Sequence, residues 1–186
     1  MSDTSVRTAR PTDVSSVAYV QAAVWREAYG ELVDQDVRDA FTARSFESVW
    51  RESLQAPPSV RHRLLVATQL QNVVGFAAIG PAGDLAAASD TTVGEIYTLG
   101  VAPDHRGQGN GSRLLNAAVD TLRAGDFDSV ITWVLGNDEQ TRAFLASAGL
   151  QPDGAWRDRV ISADGRTARE VRLAAALVEA PGPDEP

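Results

Sequence analysis

Residues 101–115, VAPDHRGQGNGSRLL, place three glycines (Gly107, Gly109 and Gly111) within five residues, between a strand-like run and a helix-like run. Glycine loses more backbone entropy on folding than any other residue, so such density marks a left-handed turn or a close approach to the backbone. Downstream, Leu114, Leu115, Ala118, Val119 and Leu122 recur at helical spacing, so the loop feeds a helix N-terminus. Free N–H groups and partial positive charge make such a terminus a natural phosphate site. With Arg106 alongside as a cation, RGQGNG reads either as a diphosphate cradle or as a flexible loop with a glycine cap. A dinucleotide fingerprint fits poorly. Its third glycine would fall on Ser112, the loop follows four strand-like runs, and APDH separates it from its own strand.

The remaining punctuation gives the element order. TSVRTAR (4–10) reads as a short strand, and Pro11 and Asp13 open a helix in which Val14, Val17, Ala18, Gln21, Val24, Trp25 and Ala28 share a face. Gly30 interrupts that helix. A second helical region runs from about Asp34 to Leu54 and ends at APPS. RHRLLVAT and NVVGFAAIG form a hairpin turning near residues 69–72, and PAGDLAAASDTT is a loop. VGEIYTLGV is the strand before the glycines, and SVITWVL is another after their helix. EQTRAFLASAG is a helix closed by Gly149. AWRDRVI and TAREVRLAAAL make a final hairpin around ADGR. The order β-α-α-β-β-β-α-β-α-β-β defines an α/β domain with a mixed sheet over residues 1–177, and 178–186 read as a disordered tail.

Absences narrow the chemistry. The chain has no cysteine and no lysine; all 17 basic residues are arginine. Disulfides, thiolate sites, a Walker A loop, a pyridoxal Schiff base and a kinase-type lysine are therefore excluded. Two histidines, His62 and His105, cannot build a histidine-rich metal site, and no metal is expected. No G-x-S-x-G elbow is present. A net charge of −8 argues against a broad nucleic-acid surface. No apolar run approaches the ~20 residues of a membrane span, and the N-terminus lacks a signal-like stretch, so a cytoplasmic protein is expected.

EIYTLGVAPDHRGQGNGSRLL resembles the acetyl-CoA-binding motif of GNAT-superfamily N-acetyltransferases: a strand, V-x-P, then R/Q-x-x-G-x-G/A at a helix start. Val101, Pro103, Arg106, Gly109 and Gly111 supply those elements. Nearly the whole chain fits, from VRTARPTDV through VITWVL to FLASAGLQPDG. The resemblance implies a GNAT-like fold, with a mostly antiparallel sheet of six to seven strands flanked by about four helices. It implies acetyl-CoA as cosubstrate, an amine acceptor and a homodimer. Backbone amides of Gln108, Gly109, Asn110, Gly111 and Ser112 would hold the pyrophosphate, with Arg106 and Gly107 in the same cofactor site. Leu99, Gly100 and Val101 would pair with the pantetheine arm, between strands that splay apart. Asn137, Asp138 and Phe144, on or before the next helix, would flank the thioester.

Acetyl transfer needs an amine stripped of its proton and a thiolate that can leave. An ordinary alkylamine has a pKa of roughly 10.4, so a base is required. Glu95 matches the acid that some family members place at the start of this strand; it is either that base or a strand-end glutamate in solvent. Family members commonly protonate the thiolate with a tyrosine in N-x-x-A-x-x-F-Y-x-x-x-G-F. Anchored on Phe144 and Gly149, this chain puts Leu145 at the tyrosine and Asp138 at the asparagine. A thiolate of pKa about 8.5 can leave unprotonated, or water or Tyr97 can donate. Tyr97 is thus a second catalytic candidate, or plain core. Trp25 and Tyr29, four apart on one helix face, line the amine pocket or pack; Glu27, Glu31 and Asp34 attract the amine or are merely solvated. Trp50, Trp133 and Trp156 are assigned to packing, His105 to an exposed loop and His62 to structure. Three functions remain open: a small-molecule or peptide amine acetyltransferase, a non-catalytic acyl-CoA sensor or scaffold, and a protein N-terminal acetyltransferase. An open groove between the first helices and the last hairpin would favour the last of these, and a closed pocket would not.

Overall fold

A computed structural model describes residues 4–83 and 92–178. The chain begins with β1 (Thr4–Thr8), a 3-10 turn at Pro11–Asp13, and α1 (Val14–Tyr29). Then come α2 (Gln35–Asp39), α3 (Ala43–Gln55), β2 (Arg63–Gln69), β3 (Asn72–Pro81) and β4 (Val93–Val101). A 3-10 turn at Pro103–His105 leads into α4 (Asn110–Ala124), β5 (Ser129–Leu135), α5 (Glu139–Ser147), β6 (Gln151–Val160) and β7 (Thr167–Ala176). The seven strands form one sheet in the order β1-β2-β3-β4-β5-β7-β6. The mixed α/β architecture and the sheet size follow the sequence expectation.

Two details differ from it. The second helical region is two helices, because Thr42 adopts extended backbone and its side chain accepts the Ser45 N–H, capping a fresh start at Ala43. The last hairpin also begins earlier, at Gln151, since pairing with β7 continues across a bulge between Pro152 and Trp156 that contains left-handed Gly154. Residues 84–91 of the expected loop, and the expected tail from residue 179 onward, lie outside the described residues.

Alternation along the central strands explains the layers. In β2, Leu64 and Val66 face α1, where they meet Val17, Val20 and Phe76. Leu65 and Ala67 face the opposite side, where α4 contributes Leu114, Leu115, Ala118 and Leu122. Burial on both faces is why LLVA reads as a continuous apolar run. Burying each such leucine contributes about 2 kcal/mol. Helices α1 and α3 therefore cover one face and α4 the other, with Leu145 of α5 in the same cluster as α4.

Strands β1 to β4 are antiparallel, and so are β5, β7 and β6. The two wings meet only where β4 runs parallel to β5, with Val93–Ile96 matched to Ser129–Thr132. The connection is α4, as a parallel crossover requires. No described helix is long and apolar enough to cross a membrane.

Candidate active site

The β4–β5 pairing stops at Ile96 and Thr132, where the Thr132 hydroxyl donates to the Ile96 carbonyl at 2.9 Å. Register against β3 shifts at the same point: Ala78 opposes Thr98 and Ile79 opposes Ile96, leaving Tyr97 as the extra residue of a bulge. A bulge bends its strand and increases its twist. Beyond it, Leu99, Gly100 and Val101 pair with β3 but no longer with β5. The sheet is open there, on the side leading to the glycine loop.

At that opening α4 begins. Gly107 and Gly109 have φ of 70° and 80°, left-handed conformations that side chains avoid. Gly109 caps the helix, and the first intrahelical bond runs from Arg113 N–H to Gly109 C=O at 3.1 Å. The amides of Gly109, Asn110, Gly111 and Ser112 therefore precede the helical ladder and are available to an anion. A Cβ at Gly109 would sit 2.9 Å from the Arg113 guanidinium, which donates to Gln108 C=O at 3.0 Å. Asn110 is 2% exposed; its amide donates to His105 C=O at 3.0 Å, and its Oδ1 is buried without a partner. These features fit a diphosphate.

Arg106 is engaged elsewhere. Its Nε donates to Val101 C=O at 3.1 Å and its terminal nitrogen pairs with Glu27 of α1 at 2.6 Å, tying the loop to the first helix. On α5, Phe144 approaches the α4 start, with its ring 3.4 Å from where a Gly111 Cβ would lie. Asp138 caps α5 through Thr141 N–H at 2.9 Å, and Asn137 immediately precedes it. Leu145 is 4% exposed within the core and has no proton to give.

On the α1–α3 face, a cavity of about 440 Å³ is lined by Glu95, Tyr97, Trp25 and Tyr29, so four residues singled out in sequence converge. Glu95 is 8% exposed and accepts the Gly83 N–H at 3.1 Å; it is not a solvent-facing strand end. The Tyr97 hydroxyl donates to Pro81 C=O and meets His62 Nε2 at 3.3 Å, while His62 Nδ1 meets Ser59 Oγ at 2.9 Å. Burial, reinforced by the charge of Glu95, pushes the Tyr97 phenol up to about 12. Burial lowers the His62 imidazole from its ordinary value. Trp25 packs against Tyr29, Phe41 and Phe46 with centroids 5.2–5.5 Å apart, so it both packs and lines the cavity.

Sequence reasoning missed the far wall: Arg157 and Arg159 of β6, Glu170 of β7, and the rings of Trp50 and Trp133. Trp50 packs on Phe76 as expected, and also reaches the cavity. Glu170, 2% exposed, accepts from Arg157 Nε at 2.6 Å and Arg159 at 3.2 Å. Arg157 lies over the Trp133 ring at 4.2 Å, and Arg159 shares the cavity wall with Tyr29. Burial raises the Tyr29 phenol, with Arg159 opposing. Trp156, by contrast, is exposed beneath Arg169 rather than packed in the core. Glu27 and Asp34 do not line the cavity; they pair with Arg106 and Arg166. Among the described residues, no cluster of His, Asp and Glu could hold a metal.

A sheet opened between two strands, a glycine-capped helix beside the opening and an acid in a walled cavity define the architecture of an acyl-group transferase. Residues 24–150 match the acetyltransferase (GNAT) family, and the chain belongs to that family. It is 25% identical over 154 residues to the uncharacterized N-acetyltransferase YuaI of Bacillus subtilis (strain 168), covering 83% of each chain. Its fold is also similar to that of yncA from Salmonella typhimurium, solved with its cofactor acetyl-CoA (TM-score 0.67, 20% identity, 98% of each chain). The PaiA N-acetyltransferase of Thermoplasma acidophilum in complex with coenzyme A is a further structural neighbour (TM-score 0.66, 13% identity, 91% of this chain and 98% of that one).

Proposed function

We propose that the protein transfers an acetyl group from acetyl-CoA to a primary amine of a small molecule, by direct attack in a ternary complex. The observation that carries this reading is the opening beyond Ile96 and Thr132. There Leu99 to Val101 have no β5 partner, with the start of α4 on one face of the sheet and the Glu95 cavity on the other. Amides of Gly109 to Ser112 hold the pyrophosphate, with Gly107 and Gln108 shaping the turn and Arg106 bracing it against Glu27. The unpaired edge of Leu99 to Val101 takes the pantetheine arm, and Phe144, Asn137 and Asp138 bound its other side.

Bound acetyl-CoA supplies a thioester: the amine nitrogen forms a bond to its carbonyl carbon, the C–S bond breaks, and the sulfur leaves as thiolate. Glu95 takes the ammonium proton, directly or through one water, and its burial keeps bulk water from competing. Proton transfer of this kind contributes about 10²- to 10⁴-fold. Tyr97 acts by position. With its proton held by Pro81 and its phenol at about 12, it is a weaker acid than the departing thiol, whose pKa is about 8.5. The thiolate therefore leaves unprotonated, consistent with Leu145 where a tyrosine is usual.

A small acceptor is favoured over a polypeptide end because Arg157, Arg159, Glu170 and Trp133 wall the cavity on the side facing Glu95 and Tyr97. A cytoplasmic homodimer belongs to the same reading and is checked by light scattering and cell fractionation. The deciding experiment is calorimetric titration of acetyl-CoA into the wild type and Gly109→Trp, followed by an amine screen. Micromolar binding lost in the variant, with turnover in the wild type, supports the reading. Binding with no turnover of any amine leaves an acyl-CoA sensor, and no binding by the folded protein overturns the cosubstrate.

A further inference from the structure

We infer that Gln21 is a specificity-determining residue: its side-chain amide donates to an oxygen of the acceptor, so the substrate is an amine whose body carries a hydrogen-bond-accepting oxygen. The inference rests on the acetyl-transfer reading and names the substrate class of that site. Gln21 lines the same cavity as Glu95 and Tyr97. It lies four residues before Trp25 and eight before Tyr29, so an amide, an indole and a phenol follow one another about 6 Å apart along one face of α1.

The other buried residues of α1, among them Val17, Ala18, Val20 and Ala22, are all apolar; Gln21 is polar and only 6% exposed. A buried amide destabilises a fold unless its hydrogen bonds are made. Half of that requirement is met inside the protein, where the Trp50 indole donates from Nε1 to Gln21 Oε1 at 2.5 Å. An indole nitrogen can only donate, so the atom it meets is the amide oxygen, and the amide nitrogen occupies the other branch. The two N–H groups of that nitrogen have no partner among the described residues. Nor is the nitrogen sealed in, as the unpartnered Trp133 Nε1 is; it opens on the cavity that Gln21 lines.

Trp50 is itself held, its ring packed edge-on against buried Phe76 with centroids 5.7 Å apart. The donors are therefore braced by ring packing before any ligand arrives. Two N–H donors suit an oxygen lone pair and oppose a second ammonium, which brings only donors of its own. The rings of Trp25 and Trp133, in the same cavity, suit the carbon skeleton between amine and oxygen. A hydrocarbon amine of the same shape would leave both N–H groups stripped of water and unpaired, a larger loss than the bond itself is worth.

The test follows thiol release from acetyl-CoA with matched amines: pentylamine beside aminopentanol, its methyl ether and aminopentanamide; phenethylamine beside tyramine and its methyl ether; and cadaverine as a diamine. The best oxygen-bearing amine should exceed its hydrocarbon parent at least tenfold in kcat/KM, and cadaverine should be the poorest of its series. Gln21→Glu keeps an oxygen for the Trp50 N–H but replaces the donors with a second acceptor. There the preference should fall below about threefold, and cadaverine should gain on aminopentanol. Gln21→Met, uncharged and of similar length, should lose the preference without favouring the diamine. A role confined to holding Trp50 would leave the ratio unmoved in Gln21→Glu. Circular dichroism verifies folding, and either folded variant decides. Hydrocarbon amines that match their oxygen-bearing partners in both series, or a preference that survives in a folded variant, overturn the inference while acetyl transfer stands. Acetyl-CoA binding without thiol release above background for any amine overturns the transfer reading and this inference with it.

Discussion

Glu95 and Tyr97 lie two residues apart on one strand, and the proposed mechanism gives them different roles. Glu95→Gln keeps the acceptor of the Gly83 N–H but loses the base; kcat should fall at least 100-fold in steady-state assays, with acetyl-CoA affinity unchanged by calorimetry. Tyr97→Phe removes a bond to Pro81 and the meeting with His62. It should cost about 1 kcal/mol in urea unfolding and less than tenfold in kcat. A drop as large as that of Glu95→Gln would make Tyr97 the proton donor. The glycine loop was legible in the sequence because loop chemistry is local, whereas Glu95 and Tyr97 were singled out through the family resemblance, and the structure puts both on the cavity wall. Glu170, Arg157 and Arg159 were not legible. RDR in a hairpin strand reads as a solvated edge, and only β7 pairing shows that both arginines converge on one buried carboxylate.

At the scale of elements, the starts of α1 and α4 each carry a test. Asp13, before α1, accepts two bonds from Arg7 at 2.6 and 2.9 Å and one from the Arg10 N–H at 2.7 Å. The hydrogen bond from Arg7 is the chief cause holding its carboxyl below the usual value. A depressed carboxyl stabilises the fold above its unfolded pKa of about 3.9, and that stability disappears as pH falls through the folded value. Asp13→Asn should therefore cost about 2 kcal/mol at pH 7 in denaturant titrations, with the gap from wild type closing below about pH 4. At α4, Gly109→Ala forces a side chain into φ of 80° and against Arg113. Acetyl-CoA affinity should fall at least tenfold by calorimetry while α4 remains folded. The strands and long helices were legible from periodicity. The split at Thr42 was not, because one threonine cap against Ser45 outweighs continued helical spacing, and the bulge at Tyr97 exists only in register with β3.

Across the whole molecule, the element order carried the topology, since a helix between two strand patterns implies the parallel β4–β5 contact. What the order does not contain is the ion pair between the turn of the last hairpin and the chain after α1. Arg166 and Asp34 are 132 residues apart and both partly exposed. Such a surface pair contributes little to stability, so Arg166→Ala should shift the unfolding midpoint hardly at all.

The four-residue seam between β4 and β5 also has a mechanical meaning. It is where the two antiparallel wings share backbone bonds, so the sheet behaves as two plates joined along a short line of stitches. A cosubstrate threaded beside Leu99 to Val101 extends that line and adds RT ln(1 + [L]/Kd) to the folded state. Amide hydrogen exchange in the second half of β4 should slow sharply with acetyl-CoA present, while exchange in β2, stitched on both edges already, barely changes.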